Sequence, residues 1–363
     1  MSKLEELISE LCPDGVEYKK LEECCTVLDR QRKPVTKAAR EAGEYPYYGA
    51  NGIQDYVSDY IFDGTFVLVG EDGSVITPEG TPVVNWAEGK IWVNNHAHII
   101  EEKKGVLLRY LYHYLQTVDV TPLIHGNIPK LTGGDFKAIA VPVPPLEVQS
   151  EIVRVLDCFT LLTAELTAEL TARQKQYEYY RNKMLMEVDA PIKKLIEITH
   201  SISSGKNKER LNDGAYPVYG STGIISTTNT PAYEGRKILV ARVGANAGYV
   251  HIADGKYDVS DNTLMINLKE NVLLEYLFYH LENMNLNQYA KGGGQPLITG
   301  GQLKDLEIPV PSLDEQKRIV DILDKFHDLT NSITSGIPAE IEAREKQYNY
   351  YREKILKFDK GGE

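Results

Sequence analysis

Residues 45–52 read Tyr-Pro-Tyr-Tyr-Gly-Ala-Asn-Gly, and residues 216–223 repeat this frame as Tyr-Pro-Val-Tyr-Gly-Ser-Thr-Gly. The two copies begin 171 positions apart (216 − 45) in a chain of 363 residues. Repeats of roughly 20–50 residues would predict a stacked solenoid, whereas a repeat of nearly half the chain indicates two copies of a whole domain. Two similar but unequal binding surfaces suit a ligand with two unequal halves, which favours recognition over catalysis.

Two further segments recur in the same order. Residues 141–149 read Val-Pro-Val-Pro-Pro-Leu-Glu-Val-Gln and return at 308–316 as Ile-Pro-Val-Pro-Ser-Leu-Asp-Glu-Gln. Residues 173–181 read Arg-Gln-Lys-Gln-Tyr-Glu-Tyr-Tyr-Arg and return at 344–352 as Arg-Glu-Lys-Gln-Tyr-Asn-Tyr-Tyr-Arg. The duplicated order predicts four regions: a first domain at 1–144, a central helix at 145–188, a second domain at 189–311 and a C-terminal helical region at 312–363.

The part of each repeat that precedes its helix predicts an α/β (α+β) domain. Short runs of β-branched and apolar residues, such as 66–69 and 237–241, predict strands, and turns rich in glycine and aspartate separate them. Leucines and tyrosines at three- and four-residue spacing predict helices over 106–116 and 272–282. The order of the strands in the sheets is not readable from this pattern.

The second part of each repeat predicts a long helix. Apolar residues of the first helix keep a heptad spacing over about 35 residues, which gives roughly 50 Å at ~1.5 Å per residue. The second helix begins with a predicted capping box, Ser312 with Glu315. It breaks near Pro338, because proline inside a helix costs about 3 kcal/mol.

We expect the two heptad seams to pair as long antiparallel coiled-coil helices, and the alternative is that each seam docks on a separate partner. The residues assigned to this pairing or docking are Leu156, Phe159, Leu166, Leu170, Tyr177, Tyr180, Leu323, Phe326, Tyr348 and Tyr351.

Residues 163–172 iterate Thr-Ala-Glu-Leu two and a half times. Four residues are just over one helical turn, so each copy lengthens a helix by about 6 Å and rotates it by ~40°. This pattern predicts an adjustable spacer. The simpler interpretation is a stable helix, since alanine and leucine favour that conformation.

The net charge of −12 weighs against unaided binding to a nucleic acid. Residues 1–149 hold 14 Lys+Arg against 22 Asp+Glu, a net −8, whereas residues 190–311 hold 12 against 12. Basic clusters nevertheless recur at the same place in both repeats, at 30–33 and 206–210. They are either solvated loops or phosphate contacts, and an acidic chain can bind DNA if a basic partner supplies part of the phosphate contact.

Composition predicts a cytoplasmic protein. No apolar run approaches the about 20 residues that span a bilayer, and the N-terminus lacks the pattern of a secretory signal. The four cysteines show no Cys-x-x-Cys spacing, so we expect reduced thiols.

The motifs, in their duplicated order, resemble the specificity subunit of type I restriction-modification systems over nearly the whole chain. Beside the repeats above, the resemblance rests on Leu-Cys-Pro-Asp-Gly-Val-Glu-Tyr at 11–18, Trp-Val-Asn-Asn-His-Ala-His at 92–98 and Gly-Gly-Gly-Gln-Pro at 292–296. It implies two target-recognition domains, each reading one half of a bipartite site in double-stranded DNA. The helices would set the spacing of the halves and dock two DNA methyltransferase subunits.

The resemblance also implies a non-catalytic subunit without a cofactor. S-adenosylmethionine would bind the methyltransferases, which modify adenine, and ATP and Mg²⁺ would bind restriction subunits where these join. The chain has neither an Asn-Pro-Pro-Tyr or Asp-Pro-Pro-Tyr motif nor a phosphate loop. His96 and His98 could form a metal pair on one strand face, but no third ligand is evident, so we predict no metal site. The alternative class is a scaffold or adhesion protein with paired domains on a coiled coil that does not bind DNA.

Base reading requires hydrogen-bonding groups at groove depth, and phosphate contact requires cations. The Tyr-Pro-x-Tyr-Gly turn presents Asn51 in one repeat but Ser221 and Thr222 in the other, so one frame carries different reading residues, unless it is simply a structural turn. The candidate DNA-binding residues are Arg32, Lys33, Tyr48, Asn51, Asn94, Asn95, His96, Lys130, Lys206, Lys208, Tyr219, Ser221, Thr222, Arg242, Lys291 and Gln295.

Overall fold

The chain folds into two compact units, each containing one α/β domain. One unit combines Met1–Leu166 with Ile341–Glu363, and the other is Thr167–Glu340. The helical regions are therefore divided between the units. The computed structural model describes residues 3–73, 75–208, 211–292, 294–332 and 335–361.

The helices and strands follow one another in both units in the same general order. The α-helices are α1 (Lys3–Leu11), α2 (Leu21–Cys24), α3 (Leu108–Leu115), α4 (Gly133–Ala138), α5 (Leu146–Met186), α6 (Leu274–Asn283), α7 (Gly300–Lys304), α8 (Leu313–Asn331) and α9 (Ile337–Ile355). The strands of the first unit are β1 (Glu17–Lys20), β2 (Cys25–Val27), β3 (Ala42–Gly49), β4 (Gly52–Val57), β5 (Phe62–Gly70), β6 (Val84–Val93), β7 (Ala97–Glu102), β8 (Ile124–His125), β9 (Lys130–Leu131) and β10 (Ala140–Val143). Those of the second are β11 (Ile192–Lys194), β12 (Thr199–Ser204), β13 (Tyr216–Gly220), β14 (Gly223–Thr228), β15 (Tyr233–Glu234), β16 (Lys237–Ala241), β17 (Val250–Ala253), β18 (Lys256–Val259), β19 (Thr263–Leu268) and β20 (Glu307–Pro309).

The first unit has a six-stranded sheet in the order β2-β7-β5-β6-β3-β4. Its neighbours are antiparallel except β3 and β6, which run parallel where Tyr47 pairs with Trp92 and Tyr48 with Val93. A separate pair, β1 with β10, joins the start of the domain to the strand that leads into α5. This mixed sheet confirms the predicted α/β class.

In the second unit, the counterpart of this six-stranded sheet is divided into two four-stranded sheets, β12-β19-β16-β17 and β14-β13-β18-β15. The ten residues of β6 in the first unit have their counterpart in two strands, β17 and β18, which Asp254 and Gly255 separate. Gly255 has a φ of +77°, a backbone conformation that side chains other than hydrogen disfavour. A turn of the glycine- and aspartate-rich kind that the sequence predicts between strands therefore splits the strand here.

The predicted helices are present. The central helix α5 runs unbroken for 41 residues, and the predicted break in the C-terminal region lies between α8 and α9. Gly336 at this break has a φ of +84°, and a Cβ there would lie 2.7 Å from the Asp328 and Leu329 carbonyl oxygens. The predicted capping box is half correct, because Ser312 accepts from the Glu315 N–H but the Glu315 carboxylate binds Arg318.

Each core is completed by a helix from the opposite repeat. In the first unit, Leu356 at the end of α9 packs in the core with Leu156 of α5. In the second, Leu185 at the end of α5 packs in the core with Leu323 of α8. Leu185 and Leu356 are equivalent positions (356 − 185 = 171). Each unit therefore buries the same leucine of the other repeat in its core.

Aromatic contacts between helices follow the same exchange. Phe159 stacks on Tyr351 in the first unit with ring centroids 5.5 Å apart, and Tyr180 stacks on Phe326 in the second at 6.3 Å. Leu156, Tyr177 and Leu323 are buried, whereas Leu166, Leu170 and Tyr348 are half-buried. Antiparallel pairing along the whole length of the helices stays a prediction.

Side-chain hydrogen bonds anchor these helices to the domains. In the first unit, buried His113 of α3 has Nε2 2.8 Å from Asp157 and Nδ1 3.1 Å from the Tyr348 hydroxyl. Burial lowers the pKa of His113 to about 4, so at neutral pH Nε2–H donates to Asp157 and Nδ1 accepts from Tyr348. In the second unit, the Tyr279 hydroxyl donates to Asp324 at 2.5 Å.

We predict that Leu156→Ala and Leu323→Ala each lower the free energy of unfolding by about 2–5 kcal/mol, because each removes a fully buried side chain. Amide hydrogen exchange should show the loss of protection in the first unit for Leu156→Ala and in the second for Leu323→Ala. Leu161→Ala is the control, since this α5 side chain is 61% exposed and should change stability by about 0.5 kcal/mol or less. An equal loss from Leu161→Ala would contradict this account of the cores.

Candidate nucleic-acid interface

Each repeated Tyr-Pro-x-Tyr-Gly segment forms a tight hairpin. In β3–β4, Gly49 pairs with Gly52, and in β13–β14, Gly220 pairs with Gly223. Gly52 and Gly223, which follow the tip residues, have φ values of +95° and +90°, the left-handed conformation that closes a hairpin built on a type I turn. The tips are therefore residues 50–51 and 221–222, as the sequence predicts.

The first glycine of each hairpin leaves room for a side chain from the opposite strand. A Cβ at Gly49 would lie 2.0 Å from Gln54 Nε2, and a Cβ at Gly220 would lie 2.6 Å from Ile225 Cδ1. The side chains of Gln54 and Ile225 thus cross corresponding glycines and reach the hairpin surface, where both are exposed. Sequence reasoning missed both residues, although their equal distance from the turn glycine was a usable signal.

In the first domain, the hairpin tip borders a concave site of about 550 Å³. Three candidate DNA-binding residues, Asn51, His96 and Lys130, are brought together there. Gln54, Asp72 and exposed Ile128 also contribute to its walls, together with Ala50 and Gly73. The site combines amide, imidazole and ammonium groups with one carboxylate, and Asp72 pairs with His96 Nδ1.

A buried amide links this site to the backbone. Asn94, which is 3% exposed, accepts the His96 backbone N–H on Oδ1 at 2.8 Å. Its Nδ2 donates to Gln54 Oε1 at 3.3 Å. Asn94 therefore lies beneath the surface and orients Gln54, rather than being presented to a ligand itself.

A cluster of charged side chains supports the site from below. Arg32 Nη1 donates to Glu71 Oε2 and to the Ala97 carbonyl oxygen, both at 2.6 Å, and Arg32 also lies 3.6 Å from Asp29. Lys130 Nζ is 3.2 Å from Glu71. Arg32 is 12% exposed, so most of its hydrogen-bonding capacity is used inside the domain.

His98 completes this charged cluster, with its two ring nitrogens 2.7 Å from Asp29 and 3.0 Å from the Leu131 carbonyl oxygen. Burial acts to raise the pKa of Asp29, but hydrogen bonds from His98 and Ile99 and the charge of Arg32 hold it below its ordinary value. The ligand atoms of Asp29, Glu71 and His98 lie close enough to hold a metal ion. Because Arg32 and Lys130 already balance the two carboxylates, we interpret the group as a salt-bridge network.

The second domain has other residues at the positions of this network. Glu71 N–H donates to His96 O, and Arg242 N–H donates to Asn262 O, so Arg242 stands in place of Glu71. By the same pattern Leu297 stands in place of Lys130, because Leu131 N–H bonds Glu71 O and Ile298 N–H bonds Arg242 O. The candidate Lys291 is therefore not the counterpart of Lys130, and it lies opposite Leu297 in a short bridge.

The remaining candidates divide by exposure. Tyr48 is buried, whereas Tyr219, Ser221 and Arg242 are half-buried. Tyr219 stacks on His251 with centroids 5.7 Å apart, and the Ser221 hydroxyl donates to the Asn262 carbonyl oxygen at 3.3 Å. The exposed candidates are Lys33, Asn51, Asn95, His96, Lys130, Lys206, Lys208, Thr222, Lys291 and Gln295.

The two units share one hairpin frame and differ in the residues at its tip. This arrangement is typical of a protein with two related but different binding surfaces. The family described as the type I restriction modification DNA specificity domain matches residues 13–173 and 189–343, one match for each repeat. The chain is 39% identical over 373 residues to a putative type I restriction enzyme specificity subunit of Haemophilus influenzae, covering 94% of this chain and 96% of that protein. It belongs to the family of type I restriction-modification specificity subunits.

Other relatives agree with this membership. The chain is 36% identical over 290 residues to the EcoR124I/EcoR124II specificity subunit of Escherichia coli, covering 70% of this chain and 72% of that protein. The crystal structure of the type I system S subunit from M. genitalium matches with a TM-score of 0.61 over 94% of this chain and 96% of that chain, at 15% identity. The first likeness supports the family, and the second supports the fold.

The membership confirms the predicted class of DNA sequence-recognition subunit. Within the described part of the chain, no helix is long and apolar enough to cross a membrane.

We predict that Arg32→Met lowers the free energy of unfolding by about 1–3 kcal/mol, because it leaves the largely buried carboxylates of Asp29 and Glu71 without their guanidinium donor. Chemical denaturation of the purified chain measures this loss. Lys33→Met is the matched control, since the neighbouring Lys33 is exposed and should change stability by about 0.5 kcal/mol or less. Equal stability of the two variants would show that Arg32 has no structural role.

Proposed function

We propose that each domain reads one half of a bipartite DNA site and that the helices set the distance between the two half-sites. The observation that carries this proposal is the shared hairpin frame with different tips, Asn51 with Gln54 in one unit and Thr222 with Ile225 in the other. Base edges are distinguished by their pattern of donors, acceptors and methyl groups. One frame with two sets of reading groups therefore suits two unequal half-sites.

The charges of the two domains suggest a division of phosphate contacts. In the first domain, Arg32 and Lys130 are paired with carboxylates, whereas Lys206, Lys208 and Lys291 of the second domain are exposed. Phosphate contacts supply much of the affinity for DNA. The first domain would accordingly depend more than the second on a basic partner subunit for its hold on the duplex.

The partners would be two DNA methyltransferase subunits, one for each repeat of the helical motif. Tyr179 of α5 and Tyr350 of α9 occupy equivalent positions (350 − 179 = 171), and both are 61% exposed. Two equal, exposed tyrosines suit two equal docking places, since aromatic residues are enriched at protein interfaces. The methyltransferases would bind S-adenosylmethionine and modify adenine, and restriction subunits, where they join, would bring ATP and Mg²⁺.

We predict that the two domains specify their half-sites independently. Exchanging residues 190–312 for those of a homologue with a different specificity should change one half of the methylated motif, because the other hairpin and its supporting network stay as they are. Methylome sequencing of a host that carries the exchanged subunit and its methyltransferase reads both halves at once. A change in both halves, from a subunit that still assembles, would contradict independent reading.

We also predict that inserting Thr-Ala-Glu-Leu after Leu170 widens the spacer between the half-sites by one or two base pairs. The insertion adds about 6 Å and ~40° to α5 near the boundary of the two units, Leu166 with Thr167, and a base pair rises ~3.4 Å.

Inserting two residues at the same point is the control, because it turns the helix faces by ~200° and should abolish assembly. Methylome sequencing shows the spacing. Methylation at the original spacing by the four-residue variant would exclude the helix as the determinant of distance.

A further inference from the structure

The side chains at positions 54 and 225 occupy the same place in the two domains but differ in chemistry. Each crosses the first hairpin glycine, Gly49 or Gly220, and is exposed beside the tip. Gln54 can donate and accept hydrogen bonds, whereas Ile225 can do neither and is 37% exposed. A large apolar side chain at a reading position implies that its partner surface is apolar too.

The orientation of the Gln54 amide follows from its neighbours. The His96 backbone N–H can only donate, so it fixes the Asn94 oxygen on its own side. The Asn94 nitrogen then donates to the Gln54 oxygen, and this leaves the Gln54 NH₂ group on the far side of its carboxamide. Since Asn94 is buried, protein groups rather than water satisfy its amide.

Other groups around Gln54 reinforce a donor-rich surface. Lys130 lines the same concave site as Gln54 and brings an ammonium group that only donates. Among the bases, guanine alone presents two adjacent acceptors, N7 and O6, in the major groove. The one carboxylate of the site, Asp72, is paired with His96. The remaining amide and ammonium donors therefore match guanine better than adenine, thymine or cytosine.

In the part that the structure describes, the second domain has no counterpart of the hydrogen bonds that join His96, Asn94 and Gln54. Ser260 replaces Asn94, since Ser260 N–H bonds Tyr219 O as Asn94 N–H bonds Tyr48 O, and the Ser260 hydroxyl has no partner in the described residues. Val243 and Leu297 stand at the positions of Asp72 and Lys130, as their paired bridges show. Val243, Leu297 and Ile225 are all apolar. The apolar group that a base edge offers in the major groove is the C5-methyl of thymine.

We infer that positions 54 and 225 select the base at one place in each half-site, with Gln54 donating to guanine and Ile225 contacting the methyl group of thymine. This inference rests on the proposed reading of half-sites by the two hairpins. It names the residue of each hairpin that distinguishes the bases and the base edge that this residue contacts.

Reciprocal exchange tests this assignment in the full chain, co-expressed with its methyltransferase. The wild-type motif should contain guanine in the half read by the first domain and thymine in the half read by the second, the halves being assigned by the exchange of residues 190–312. Gln54→Ile should weaken guanine at one position of the first half by about tenfold or more and favour thymine there. Ile225→Gln should do the reverse in the second half, and each variant should leave the other half unchanged.

Two further variants separate reading from general damage. Ile53→Gln is the matched control, because Ile53 does not line the concave site that Gln54 lines, and it should leave the motif unchanged. Asn94→Ala should relax the preference for guanine over adenine without creating a preference for thymine, since Gln54 is then free to turn its amide.

The outcomes distinguish this inference from the proposed function. A wild-type complex that methylates no bipartite motif would refute the proposed function itself. A wild-type bipartite motif that both exchange variants retain, or that changes equally with Ile53→Gln, would refute only the assignment of Gln54 and Ile225. If an exchange variant assembles but does not methylate, competition binding to duplexes that differ at one base pair decides the same question by the rank order of the bases.

Discussion

The burial of Leu356 in the first core and of Leu185 in the second is the contact on which the rest of the molecule depends. Burying a leucine contributes about 1.5–3 kcal/mol, and here it joins each domain to the helix that ends the opposite repeat. The segment after Leu356 is also bound to the start of the first domain. Val16 N–H donates to Asp359 O at 3.0 Å, and the Tyr18 hydroxyl donates to Phe358 O at 2.9 Å. Neither unit is therefore built from one repeat alone, and each repeat needs the other to complete its core.

The hairpins show how two domains of one design differ at the surface that we propose to read DNA. The glycine frame fixes the backbone of β3–β4 and β13–β14, while residues on and behind the tip differ between the two domains. In the first domain the variation extends inward, because Asn94 and the network around Arg32 orient and balance the surface groups. In the second domain Arg242 and Leu297 occupy the same backbone positions without that network. The two domains thus differ in the residues that support the hairpin surface as well as at the surface itself.

Much of the candidate site was readable from the sequence, because repeated motifs mark it. Asn51, His96 and Lys130 were predicted from three separate segments, and the structure brings them to one concave site. Gln54 and Ile225 were missed because they lie beyond the glycines, in strands that read as ordinary β-structure. The internal bonding of Arg32 and the burial of Asn94 were equally hidden, since a charged or amide residue gives no sign in a sequence of whether its partners are water or protein.

The duplicated motifs by themselves determined that the chain has two α/β domains, a long central helix and a break before Pro338, because periodicity, glycine turns and proline act over a few residues. The order of the strands, the split of the second sheet at Gly255 and the exchange of helices between repeats were decided by the folded chain. These features arise from contacts between residues far apart in sequence, such as His113 with Tyr348. No local pattern records such contacts, since a side chain's partner depends on which distant surface the hydrophobic core brings against it.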